Sequence, residues 1–122
     1  MALALVTSCG GSEEIDPEAQ HCARAFERIT KDVRERERAG TRIWSVGDRK
    51  SVAITYDGIY GPSDTGLRDI LTCTYLVPVG TVTGKNARVD AIDILVRGKH
   101  LSEAELILLN TAIHVSRPKL LP

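Results

Sequence analysis

The side chains able to do chemistry in this chain are few and scattered. Three histidines, His21, His100 and His114, join Cys22 and Cys73 as the soft nitrogen and sulfur donors that zinc favours. His21 and Cys22 are adjacent, however, and neighbours in sequence leave a helix on different sides, which is poor geometry for a shared metal. His114 falls in the last turn of a predicted helix, where partial positive charge is favourable and explains it without a metal. Asp57, Asp64 and Asp69 lie along one turn-rich run, DGIYGPSDTGLRD. Their spacing lacks the alternating oxygen ligands and closing glutamate of an EF-hand calcium loop. Asp90 and Asp93 sit an odd number of positions apart on a predicted strand, so they face opposite sides and form no carboxylate dyad from that strand. The chain has no Gly-x-Ser-x-Gly, no phosphate-cradling glycine loop and no His-Glu-x-x-His. No metal, cofactor or catalytic residue is assigned, and the expectation is a protein that is not an enzyme.

Charge and length narrow the classes further. Sixteen basic residues balance sixteen acidic ones, whereas neutralising phosphates needs surplus lysine and arginine, so no nucleic-acid partner is expected. The 122 residues suit one domain, and with aromatics at 4% its core must be built mainly from aliphatic side chains. The amino-terminal apolar stretch, Met1 to Val6, is far too short to span a bilayer.

The elements that position these residues follow from period and punctuation. Asp16-Pro17 opens a helix, with aspartate as N-cap and proline where its missing N–H costs nothing. Ala19, Cys22, Phe26, Ile29 and Val33 then trace one apolar stripe. The charged run Arg34 to Arg38 reads as the solvated end of that helix, with Gly40 closing it. Arg42 to Val46 and Ser51 to Asp57 read as strands around the turn Gly47-Asp48-Arg49-Lys50. Ile70 to Val77 follows as a third. Val79 to Thr83 turns through Gly84-Lys85-Asn86 into a long strand, Ala87 to Val96, with Ile92, Ile94 and Val96 on a buried face. No helix separates these strands, which argues for an antiparallel meander. Ser102 and Glu105 form a capping box for a last helix. There Leu101 staples onto Leu106, Leu106, Leu109 and Ile113 line one side, Leu108 widens it and Pro118 stops continuation. The predicted fold is α+β: an N-terminal helix, a four- to five-stranded antiparallel meander and a short C-terminal helix, over residues 16–122 as one domain.

Between the second and third predicted strands, the run from Asp57 to Asp69 holds three glycines and a proline, and loops of that length are often functional. Asp57, Tyr60, Asp64 and Asp69 are its candidate contact residues. Tyr60, beside Gly61-Pro62, is expected to fix the loop against the sheet or to stack on a ligand.

The amino terminus adds a different kind of signal. Val6-Thr7-Ser8-Cys9 resembles the lipobox of bacterial lipoproteins, and residues 1–15 read as a truncated signal peptide followed by a polar tether, Gly10-Gly11-Ser12-Glu13-Glu14. The resemblance implies a lipid on Cys9, a new first residue there, and a chain anchored on the periplasmic side of a bacterial membrane. With Cys9 lipidated, Cys22 and Cys73 remain as one implied disulfide between the first helix and a central strand. A second resemblance covers Thr55 to Tyr75. Tyr56, Tyr60-Gly61 and Cys73 there are similar to a pattern in small uncharacterised bacterial secreted domains, with Gly58 where that pattern has asparagine. It implies the same Cys22–Cys73 pairing and no activity. The reading that follows is an exported structural or interaction domain whose partners are the membrane, through its anchor, and an envelope protein. The alternative is a cytosolic domain with reduced cysteines that binds a small ligand or metal on the open face of its sheet.

Overall fold

Asp16 caps the first helix as its sequence predicts: Oδ1 accepts the Ala19 N–H at 2.9 Å, and Pro17 follows at the first helical position. The computed structural model describes residues 16–60 and 66–116. In it, helix α1 (Pro17–Ile29) precedes strands β1 (Arg34–Val46), β2 (Arg49–Ile59), β3 (Gly66–Leu76), β4 (Asp93–Val96) and β5 (Lys99–His100), and helix α2 (Glu103–Ser116) ends the described chain. The strands form one antiparallel sheet in the order β1-β2-β3-β4-β5. The fold is therefore α+β, a helix, a five-stranded meander and a short C-terminal helix. Cys9 and its tether, Asp64 and Pro118 lie outside the described residues.

Alternation along β2 and β3 makes the core. Val52, Ile54 and Tyr56 face inward, with Val52 opposite Cys73 and Ile54 opposite Leu71 across the ladder. Ala19, Cys22, Ala25 and Phe26 of α1 lie over them, and Ile94, Val96 and Ile113 close the far side. Burying each of the larger side chains contributes about 1.5–3 kcal/mol.

Three expectations fail, the first two because a distant partner decides. The helix does not run on to Gly40. It ends at Ile29, where the Thr30 N–H bonds the Phe26 carbonyl at 3.0 Å, and Arg34 to Arg38 begin the edge strand β1. As a strand the run finds partners: Glu37 pairs with Asp57 and Arg38 with Tyr56 in the ladder, and Gly40 lies opposite Thr55. Arg36 and Arg38 turn inward, 5.3 and 5.9 Å above the Phe26 ring, and Arg36 also meets Glu27 at 2.6 Å. Register shifts flank Glu37, and Glu35 stands at φ +51°. Charge and bulges together blunt an edge that would otherwise template another strand.

The long strand expected from Ala87 shrinks to the four residues of β4, and Val79 to Thr83 form no strand. Asn110 of α2 takes both backbone groups of Ala91 at 3.0 Å, Oδ1 accepting its N–H and Nδ2 donating to its carbonyl, where a neighbouring strand would have bonded. Ile92 is left exposed while Ile94 and Val96 are buried. Beyond β4, Arg97 and Gly98 both adopt positive φ, the two-residue turn that folds β5 back onto it.

The last helix starts as predicted, with Glu105 N–H bonded to Ser102 Oγ at 3.1 Å and Ser102 N–H to Glu105 Oε1 at 2.9 Å. Leu106, Leu109 and Ile113 pack inward, but Leu108 is 70% exposed. Two positions on from Leu106, it points about 200° around the helix and away from the core.

Candidate functional site

Polar chemistry collects at the two ends of β2. At one end is the run from Asp57 to Asp69, and it is shorter as a loop than its sequence suggests. β2 continues through Ile59 and β3 begins at Gly66, those two residues paired, so Asp57 and Asp69 are strand residues. Asp57 faces Arg68 across the ladder and accepts two bonds from its guanidinium, at 2.8 and 3.0 Å. Both are exposed, and Arg68 holds the Asp57 carboxyl below its ordinary value. Tyr60 donates its hydroxyl proton to Tyr56 at 2.8 Å, and Arg97 lies 4.7 Å over its ring, so it ties the strand end to the sheet. Burial, then the Tyr60 hydroxyl, pushes the Tyr56 phenol upward. An open groove of about 460 Å³ runs between Glu35, Asp57, Ile59, Leu67 and Arg68. Gly58 is required in its wall, because a Cβ there would stand 2.2 Å from Val33 Cγ1.

At the other end, charges go inside. Lys50, the second residue of β2, faces the core side, where its Nζ reaches Asp16 and, at 3.0 Å, Glu18 Oε1. Thr83 donates to the other Glu18 oxygen. Glu18 is only 3% exposed. Burial acts to lower the Lys50 pKa, but the hydrogen bonds and charges of Asp16 and Glu18 outweigh it and hold the ammonium above its ordinary value. The cluster fastens the start of α1 to the sheet and to the segment 77–92.

One turn along α1, His21 Nδ1 lies 2.7 Å from the Tyr75 hydroxyl. Burial lowers the imidazole pKa to about 4, with Asn110 and Asp90 offsetting part of the effect. Tyr75 is driven well above the ordinary phenol value, first by burial and then by Glu18 and Asp16. The histidine is therefore neutral at pH 7. Its Nε2 is buried without a hydrogen-bond partner and borders a cavity of about 30 Å³ between Pro17, Arg24, Val89 and His114. A neutral imidazole bordering this partly open pocket can accept a hydrogen bond at a nitrogen that carries no proton.

Between the two ends, Cys22 and Cys73 meet in disulfide geometry. Their Cα atoms are 5.8 Å apart, inside the usual bridging range, and both residues are fully buried. The remaining sequence candidates stay apart. His100 pairs with Asp93 at 2.9 Å, Asp90 lies outside β4 and pairs with Arg88, and His114 sits in the last turn of α2. Among the described residues no three histidine, cysteine or acidic side chains gather as a metal site. The sheet face away from the helices presents Trp44 with the Arg42 guanidinium 4.9 Å over its ring, beside Ser51 and Thr74. The Glu18–Lys50–Thr83 cluster and the His21–Tyr75 pair were missed from sequence, where Glu18 is an ordinary first-turn acid. Comparison with known proteins finds no matching family model, no similar curated protein and no similar solved structure.

Proposed function

We propose that this chain is a non-catalytic exported bacterial domain, anchored by a lipid on Cys9 at the periplasmic side of a membrane, with a structural or interaction role toward an envelope protein. The observation that carries this reading is the Cys22–Cys73 pair, buried at the centre of the helix–sheet interface with bridging geometry. Such a bridge persists in oxidising compartments and is rare where glutathione keeps thiols reduced. Its closure of a 51-residue separation limits the unfolded chain by about 4 kcal/mol in the chain-entropy account. Attachment in this reading comes from the lipid, as no described helix is long and apolar enough to cross a membrane. The reading assigns no reaction.

Intact mass tests it, on protein expressed in a bacterial host from an upstream start and alkylated without prior reduction. The expected product begins at Cys9, carries acyl chains, and leaves Cys22 and Cys73 unalkylated until reductant is added. The Cys22→Ala/Cys73→Ala variant is expected to lose about 4 kcal/mol in urea unfolding. An unprocessed chain with three alkylated thiols removes anchor and bridge together, and the cytosolic ligand-binding alternative then takes first place.

A further inference from the structure

We infer that the end of the domain formed by the β1–β2 turn, the segment 77–83 and the start of α1 is the surface that rests on the lipid bilayer. The inference depends on the anchor reading above and adds an orientation to it. Four large aliphatic side chains face outward here: Val82 is 91% exposed, Val79 78%, Val46 72% and Leu76 55%. The backbone brings them to one place. Val46 pairs with Arg49, and Arg49 with Leu76, so the three form one row on the sheet. The Val77 N–H bonds the Asp48 carbonyl in the turn at 2.7 Å, and Thr83 bonds Glu18 in the first turn of α1. Val79 and Val82 lie between those two attachments. The end of α2 arrives as well, His114 bordering one cavity with Pro17, and Val115 beside it is exposed.

This is also where the anchor enters. Six residues separate Cys9 from Asp16, and an extended chain of that length reaches at most about 25 Å. A lipid on Cys9 therefore keeps this end within about 25 Å of the bilayer, while the Asp57–Arg68 pair stands roughly 23 Å farther along β2 from Lys50. Part of the charge at this end is drawn inward, in the Lys50, Asp16 and Glu18 cluster, while Asp48 stays exposed in the turn. The exposed cation of the row, Arg49, is flanked by Val46 and Leu76. A guanidinium on an aliphatic stem between apolar neighbours suits the headgroup layer, its stem among them and its charge at the phosphates.

The test uses the full lipidated chain in vesicles of phosphatidylethanolamine and phosphatidylglycerol that carry a nitroxide-labelled lipid. Val82→Cys and, as the distant control, Leu67→Cys are each labelled with an environment-sensitive fluorophore while Cys22 and Cys73 stay oxidised. Quenching at position 82 is expected to exceed that at 67 by at least about threefold. Equal quenching, or more at 67, overturns the orientation while intact mass still reports the lipid on Cys9. A chain without that lipid overturns both the orientation and the anchor reading.

Discussion

The two ends of β2 distribute charge in opposite ways. Near the β1–β2 turn, Glu18 is enclosed with Lys50 and Asp16 while valines and a leucine face outward. Seven residues along the same strand from Lys50, Asp57 and Arg68 pair in full view of solvent, and the close contact is steric, Val33 over Gly58. The two ion pairs look alike as distances, at 3.0 and 2.8 Å, and differ in what surrounds them. A buried pair constrains the fold because either partner alone is a stranded charge, whereas an exposed pair is exchanged for water at little loss.

The largest effect that sharpens this contrast is expected for Lys50→Met. It leaves Asp16 and the buried Glu18 without their cation and is expected to destabilise the domain by about 3 kcal/mol in chemical unfolding. Adding Glu18→Leu to it should recover part of that loss, since the uncompensated carboxylate goes too. Failure of Lys50→Met to move the midpoint would mean that solvent reaches this cluster freely.

Acid probes the same end through His21. Its pKa is about 4 in the folded chain and about 6.5 when unfolded, so below pH 6.5 the unfolded chain binds a proton that the folded chain refuses. Stability from this source is fully present above pH 6.5. It falls by about 2 kcal/mol on going to pH 5 and levels off below pH 4. The slope between pH 6.5 and 5 should disappear in His21→Gln, measured by urea unfolding across that window.

At the opposite end sterics should outweigh charge. Gly58→Ala drives a methyl into Val33 and is expected to cost about 1–2 kcal/mol, with Val33→Ala restoring part of it. Arg68→Ala, which removes the exposed ion pair outright, is expected to leave the unfolding midpoint unchanged within error. A large loss from Arg68→Ala and a small one from Lys50→Met would reverse the comparison.

Much of the fold was legible because local chemistry and final structure agree. The Asp16-Pro17 start, the stripe Ala19, Cys22 and Phe26, the Gly47 turn at φ +60°, and the Ser102–Glu105 box each depend on residues a few positions apart. The candidate contact residues fared differently. Tyr60 fixes the strand end against the sheet through Tyr56, as expected, and Asp57 stays in its strand, but Asp69 proved to be a ladder residue too, because the reach of β2 and β3 depends on each other's length and not on the glycines between them.

What the sequence by itself determined is the class of the fold, the positions of its helix starts and its central strands, since capping, period and turn chemistry act within a few residues. Tertiary structure alone decided that Arg34 to Arg38 is a strand, that Ala91 is bonded by Asn110, and that the half-buried Lys50 meets the buried Glu18. In each case the deciding partner lies some 18 or more positions away, and a backbone group or charge adopts whatever state that partner satisfies.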